Sequence, residues 1–534
     1  MNVKKKIKLN FLGILLLLAP FCLKSEYDEF EDLINNNDQI NDFLSNNQLT
    51  FTRTTATADN VINVIQDLNA LNLFQEDIFL RTNPLNKRNI LNNPLAMLDK
   101  KYTSNNWIIG TEIFWNKTNR MYFSESSSNI ESYLALNEKS FLEKLEPFLE
   151  RVRAIITGFN IDNITILSLF KNGAIEQRQA GFLFYINKSF NKWNFSIKTP
   201  FYYLERNYNF TDKEKEAIEQ QFGKADPNTE HLFINDKIGT GDTRISFHLP
   251  LQNSRALQTN LGLFATIPTA KSFAKAIIGS SYSFIKERPT IDLVNLFNLG
   301  TVPETKDEAQ EIALNFFLDS FEHMSANFLN APLGNNGHVS IGIFTKSITP
   351  LSVFIKRAWA ENILFKSFIS LEYLFPGEEK RLFIELNDAR LFDARDFDDV
   401  GQSTSNLAFL EQQFVDKFFP FVYDTTVCPG FILQWASKAT YESEKWGCHF
   451  GTDLWVKTEE SFGSIGASKQ VVERLRKNKA KRFLGYQSKV LTTLFYKKEK
   501  KNKIWIFSLH GDGTIMSSGI GKDYTISLNI ETDF

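Results

Sequence analysis

Residues 524–534 alternate without a fault between two kinds of side chain, and this pattern constrains the chain more than any other. Tyr524, Ile526, Leu528, Ile530, Thr532 and Phe534 fall on one face of an extended strand, with Thr525, Ser527, Asn529, Glu531 and Asp533 on the other, because successive side chains point to opposite sides. One face is apolar and the other polar. Eleven residues is also roughly what a tilted strand needs to cross a bilayer, with an aromatic residue at each end for the two interfaces. A soluble edge strand carries the same alternation, so the rest of the chain has to decide.

The two-faced pattern recurs. Trp107, Ile109, Ile113 and Trp115 oppose Gly110, Glu112 and Asn116; Trp193, Phe195, Ile197 and Phe201 oppose Asn194, Ser196 and Lys198; Phe431, Leu433, Trp435 and Tyr441 oppose Gln434, Lys438 and Glu442. Strands are expected at 107–116, 177–187, 192–203, 242–252, 256–267, 337–346, 350–358, 363–375, 380–388, 430–442, 445–457, 482–496, 503–512 and 523–534. Their connections alternate in length. Residues 187–191, 252–255, 347–349, 376–379, 443–444 and 497–502 are short turns, and 117–176, 204–241, 268–336, 389–429, 458–481 and 513–522 are long, with 359–362 a single short exception. Short turns on one side and long loops on the other are the habit of membrane barrels, whose strands are half polar. The expectation is an all-β fold, a transmembrane antiparallel β-barrel of about 14 strands within a range of 12 to 16, with helical loop insertions at 138–156, 212–222 and 304–329.

The first 25 residues read as a signal peptide, with Lys4, Lys5, Lys6 and Lys8 ahead of the apolar run 11–23. Residues 26–100 hold no membrane strand; an acidic, Asn-rich start is followed by a helical pattern over 60–74, and the segment is expected as a periplasmic arm or, preferably, a plug inside a barrel formed by 101–534. A net charge of −2 offers no basic surplus for nucleic acid. Cys428 and Cys448 flank a hairpin centred near Ser443 and Glu444, with Cys448 expected opposite Ala439 and no disulfide between them.

No chemistry-bearing motif stands out. The six His residues form no ligand spacing, His510-Gly-Asp-Gly reads as a turn, and neither a catalytic set nor a cofactor is expected. The inward-facing set is more informative: Glu112, Lys198, Arg244, His248, Lys366, Glu372, Lys438, Asp453, Lys457, Lys489 and Glu531 mix signs, whereas a strongly ion-selective channel shows one sign at its constriction. These groups are expected to pair across the interior and stabilise it.

With Phe534 last on its apolar face, the terminal strand resembles the closing strand of Gram-negative outer-membrane β-barrels. That resemblance implies Tyr524, Ile526, Leu528, Ile530 and Phe534 as a signal read by the barrel assembly machinery. A second resemblance lies at Gly239-Thr-Gly-Asp-Thr-Arg-Ile-Ser-Phe and Asn260-Leu-Gly-Leu-Phe-Ala-Thr-Ile-Pro-Thr. This pair is similar to a strand and hairpin of the outer-membrane barrels for hydrocarbon and fatty-acid uptake, with Ala270 in place of the family's Gly. It implies a fourteen-stranded barrel with an N-terminal hatch. Together these give the expected function: a monomer in the bacterial outer membrane, with the lipid bilayer and the assembly machinery as partners, passing small hydrophobic solutes passively. The alternative is a non-conducting surface barrel that displays its loops for adhesion or structure.

Overall fold

In the computed structural model the described residues are 84–94, 107–121, 174–212, 233–278, 322–385 and 419–533, with short interruptions, and a few isolated positions between them. All belong to the compact unit Ala56–Phe534. The strands are β1 (Trp107–Arg120), β2 (Glu176–Ser189), β3 (Asn194–Asn207), β4 (Ile234–Thr240), β5 (Thr243–Asn253), β6 (Gln258–Ile267), β7 (Lys271–Ala274), β8 (Ser340–Pro350), β9 (Ile363–Leu374), β10 (Gly377–Phe383), β11 (Phe421–Cys428), β12 (Gly430–Glu442), β13 (Trp446–Lys457), β14 (Ser461–Ile465), β15 (Gly485–Lys500), β16 (Lys503–Ser518) and β17 (Lys522–Asp533).

Twelve of them close an antiparallel ring in the order β1-β2-β3-β5-β6-β8-β9-β12-β13-β15-β16-β17, with β17 paired back onto β1. Closure leaves no edge. The ring is inverted relative to a water-soluble protein: Ile526 and Leu528 are about half exposed, whereas Thr525, Ser527 and Asn529 of the same strand are buried. The same holds for Trp107, Ile109 and Ile113 against Glu112 and Asn116 on β1, and for Phe431, Leu433 and Trp435 against Gln434 on β12. Aromatic side chains gather at both ends of this apolar surface, Trp115 with Tyr524 and Tyr373 with Phe431 at one, Phe190 with Trp193 and Trp446 with Tyr496 at the other. Among the described residues, no helix is long and apolar enough to cross a membrane.

Two of the fourteen expected wall strands are absent from the ring. Residues 350–358 do not form a strand; Leu351–Val353 and Ala358–Asn362 are 3-10 turns, since Pro350 has no N–H with which to continue a ladder. The segment expected at 380–388 is β10, which leaves the ring after Phe375-Pro376 and joins β11 and β14 in a separate three-stranded sheet. With these corrections the exception at 359–362 disappears. The strand ends joined by β2–β3, β5–β6, β8–β9, β12–β13 and β15–β16 all lie at one end of the ring, the turn end, and the other ends of these strands lie at the opposite one, the loop end.

Other expectations are also corrected. His510-Gly-Asp-Gly is not a turn but the middle of β16, which runs on to Ser518 and reduces the loop expected at 513–522 to 519–521. Cys448 faces Tyr441 rather than Ala439, because Lys445 also belongs to the hairpin turn; the shift is an even number of residues, so each side chain keeps its face. The helix expected at 138–156 lies outside the described residues, as do the signal peptide and the pattern at 60–74. Those expected at 212–222 and 304–329 are described only at scattered helical positions, the longest run being 325–328.

The wall changes character between β3 and β8. Toward the turn end β3 pairs with β5, and toward the loop end with β4. Gly241-Asp242 breaks β4 from β5, and Pro268-Thr-Ala breaks β6 from β7. Gly239 is required here, since a Cβ would lie 2.0 Å from the Lys271 carbonyl oxygen across the β4–β7 ladder. The β6–β8 ladder ends at Thr266 and Ser340, and among the described residues β7 pairs only with β4.

Candidate functional site

Residues 84–94 take no part in the ring's ladder and are mostly buried against its side chains. Their sequence, rich in Asn with Lys87 and Arg88, suits this, because each polar group must find a partner once buried. Ile90–Asn92 forms a 3-10 turn capped by Asn89, whose side chain accepts from the Leu91 N–H at 3.0 Å. Ring side chains hold the turn. Arg244 (β5) donates to the Leu91 carbonyl at 3.2 Å and Gln434 (β12) to the Asn92 carbonyl at 2.7 Å. Arg88 meets Asp453 (β13) at 2.5 Å and Gln487 (β15) at 3.2 Å, while the other Asp453 oxygen accepts from Gln434 at 2.9 Å. Nearer the loop end, Asn86 donates to the carbonyls of Phe483 and Gly519, and Asn89 to Asn335 at 2.8 Å.

Two apolar residues of the segment sit on an apolar patch of the ring. Ile90 and Leu91 pack with Phe114 of β1, Leu183 of β2, Tyr202 and Leu204 of β3, and Ala331 and Leu333 of the connection before β8. A second apolar cluster, Leu374, Ile432, Trp455 and Ile520, lies toward the loop end, with the Arg88 guanidinium 5.8 Å from the Trp455 ring. Leu333 also borders the split wall, within contact distance of where a Gly239 side chain would stand.

Two further polar groups complete the interior. Lys489, fully buried on β15, lies 2.9 Å from both Asp512 (β16) and Asp523 (β17). Asp523 also accepts from Gln487 and Asn116, and Asp512 faces His510 at 3.1 Å; a buried ammonium persists only with such partners. At the loop end Glu379 (β10) and Glu460 share Arg381 at 2.9 Å each, Arg482 meets Glu460 at 2.8 Å, and His338 meets Glu379 at 2.7 Å. Burial pushes the Glu379 carboxyl up, but Arg482, Arg381 and the His338 hydrogen bond outweigh it and hold the group at about 2.

The register sets several of the expected interior residues side by side: Asp453 with Lys489, Lys198 with Arg244, and Lys366 with Lys438. Arg244 and Glu372 form a two-pronged pair at 3.0 Å, with Thr266 and Ser340 also on Glu372. Elsewhere the partners are different ones: Glu112 accepts from Ser527, Tyr185 lies 2.9 Å from Glu531, Lys457 lies 3.4 Å from Glu460, and Asp453 is taken by Arg88. His248 is buried beside Phe344, Lys198 is half-buried, and Lys366 and Lys438 border a small cavity. Among the described residues, the partners of these groups include ladder neighbours, the outer sheet and segment 84–94. Of the terminal set, Tyr524 and Ile530 are half-buried, Ile526 and Leu528 are exposed, and Phe534 lies outside the described residues.

Sequence reasoning missed Arg88, Gln434, Gln487, Asp512 and Asp523. Gln434 was visible only as one polar residue on an inward face, and Asp512 was absorbed into a presumed turn. Nothing in 84–94 distinguishes Arg88 from a solvated residue.

No family model matches the chain, and no curated protein is similar to it in sequence. Solved structures similar to it include an outer-membrane channel from Pseudomonas putida F1, at 7% identity over 81% of this chain and 97% of that one, with a TM-score of 0.40. The Pseudomonas putida toluene transporter TodX gives 8% identity, 80% and 89% coverage and a TM-score of 0.29. The Ralstonia pickettii toluene transporter TbuX gives 6%, 81%, 90% and 0.26. The chain bears a weak resemblance in structure to these outer-membrane channels.

Proposed function

We propose that this chain is an outer-membrane barrel through which small hydrophobic solutes pass passively, with residues 84–94 as the stopper of its interior. The carrying observation is Ile90 and Leu91 seated on an apolar patch formed by ring strands and the connection before β8. The inverted faces and the aromatic residues at both ends of the outer surface support a bilayer setting, since a closed barrel satisfies every backbone group where no water can. The short connections then face the periplasm. β17 closes the ring as a monomer, and its outward residues with Phe534 serve the assembly machinery.

Side-chain hydrogen bonds, rather than a ladder, make the stopper exchangeable. Each neutral bond contributes about 0.5–1.5 kcal/mol net and a charged one about 1.5–3, and burying each of Ile90 and Leu91 adds about 1.5–3 kcal/mol. An apolar solute that covers Phe114, Leu183 and Leu204 replaces the second contribution as the segment leaves. No catalytic role is assigned. The reading is tested by uptake of a radiolabelled alkylbenzene into vesicles with a lipopolysaccharide outer leaflet. Uptake should rise with the barrel present and rise further when 84–94 is deleted; unchanged uptake in both, with the barrel folded, favours a non-conducting display barrel.

A further inference from the structure

Residues 351–362 join β8 to β9 at the turn end and make the longest connection between strand ends there, beside 190–193, 254–257, 443–445 and 501–502. They are folded rather than extended. The N–H groups of Phe354 and Ile355 both donate to the Leu351 carbonyl at 2.9 Å, that of Ala360 donates to the Arg357 carbonyl at 2.9 Å, and Ala360 itself is fully buried. Yet Val353, Phe354, Ile355 and Trp359 are all exposed, Phe354 at 57% and Trp359 at 50%. Lys356 and Arg357, between them in sequence, are exposed as well, and Glu361 is the one acidic residue of the segment. Contiguous apolar side chains left in the open mark a surface that meets a partner or a membrane.

The place of the segment in the ring favours a membrane. The last rung of the β8–β9 ladder pairs Pro350 with Leu364, and Ile363, one residue nearer the turn, faces Tyr441 on β12. The segment therefore leaves the ring where the aromatic side chains of Tyr441, Trp446 and Tyr496 end the apolar outer surface. Aromatic rings, and cations on long apolar stems, are the groups that settle at the boundary between acyl chains and headgroups. Continuity with the outer apolar surface and two exposed cations select a lipid layer over a protein partner. We infer that residues 351–362 are a docking foot for anionic phospholipid, with Phe354 and Trp359 inserted beneath the headgroups and Lys356 and Arg357 on the phosphate. Each basic residue close to an anionic membrane surface strengthens attachment about fivefold. The inference rests on the bilayer setting proposed above and is independent of solute passage.

The test uses the full-length protein reconstituted in phosphatidylcholine vesicles that hold a minor fraction of phosphatidylglycerol. Two preparations have the same composition, and an equal amount of lipid with brominated acyl chains is supplied as phosphatidylglycerol in one and as phosphatidylcholine in the other. Bromine quenches a tryptophan that it touches, and the difference between the unaltered protein and Trp359→Phe isolates Trp359 from the other tryptophans. Trp359 should be quenched about fivefold or more strongly by the brominated phosphatidylglycerol. Lys356→Gln with Arg357→Gln should make the two lipids equal, whereas Lys356→Arg should keep the preference; either single Gln variant, with the preference lowered, serves if the double one fails to fold. Trp435, 51% exposed on the outer face of β12 and isolated in the same way by Trp435→Phe, should be quenched alike by both lipids. Equal quenching of Trp359 in the unaltered protein overturns the anionic site. Quenching of Trp435 without quenching of Trp359 keeps the barrel in its bilayer and overturns the foot, and a cross-linked dimer in that case makes a second copy the occupant. Quenching of neither overturns the bilayer setting and the foot with it.

Discussion

The β1–β17 seam and the wall between β3 and β8 are parts of one ring with different construction. At the seam every residue from Ile108 to Thr118 has a partner, from Ile108 with Asp533 to Thr118 with Asp523. Between β3 and β8 the ladder divides, β3 changes partner from β5 to β4, and a loop carrying Ala331 and Leu333 packs behind the division with Ile90 and Leu91. Unbroken alternation without Pro builds the seam, and Gly241-Asp242 and Pro268 make the split. Stability at the seam resides in the ladder and the outward-facing side chains; at the split it resides in side-chain contacts with a segment that is not part of the wall.

Arg88→Ala should have the largest effect on this contrast. Removing one partner of a buried ion pair costs about 3–5 kcal/mol, and here the cost falls on the seating of 84–94. Planar-bilayer conductance should rise from closed to frequently open while the heat-induced gel shift of the ring stays near its original temperature. An unchanged closed level would mean that the segment does not depend on Asp453.

Leu528→Arg strikes the seam instead. A cation on the lipid-facing side of a barrel strand costs about 2–4 kcal/mol near the bilayer midplane, and Leu528 is 44% exposed on the outer face, two positions from Ile526 at 52%. The urea midpoint for unfolding from lipid vesicles should fall accordingly, with conductance unchanged in the molecules that fold. An equal midpoint would place this face away from lipid.

Acid should loosen the outer sheet before either region of the ring. The Glu379 carboxyl is held at about 2 in the folded protein, against an ordinary value of 4.5. Its stabilising contribution is therefore complete above about pH 4.5 and is lost as the pH falls from there through about 2. Hydrogen exchange in β10 and β11 should speed up across that window, and Glu379→Gln should remove the dependence.

The smallest effect is expected from Ser527→Ala, at the seam but on its inward face. It deletes the hydrogen bond to Glu112 and should lower the free energy of unfolding by about 1.5 kcal/mol. A loss as large as that of Leu528→Arg would erase the distinction between the faces of β17.

The faces of β1, β12 and β17 were legible in the sequence because alternation is a local consequence of backbone geometry. The parity of the turns was legible outside 350–388; within it, 376–379 follows β9 at the loop end and 359–362 lies at the turn end, the reverse of the expectation, because two wall strands were assigned in error. One error followed from reading apolar residues after Pro350 as a strand, although Val353, Phe354 and Trp359 are exposed turn residues. The other followed from taking β10 into the ring when Pro376 directs it out.

The interior is another matter. The residues that hold Arg88 are 365 and 399 positions away in the chain, and no local pattern carries such a distance. The mixed signs of the inward residues were visible as a list, but whether Lys366 meets a carboxylate or another lysine depends on strand order and register. The sequence by itself determined which side of each strand is apolar, and hence an inverted closed sheet, since a period of two is written residue by residue. Only the tertiary structure decided that 84–94 meets side chains of the ring, that Ile90 and Leu91 pack with Phe114, Leu183 and Leu204, and that Lys366 stands beside Lys438, because burial and charge pairing depend on which distant strands closure makes neighbours.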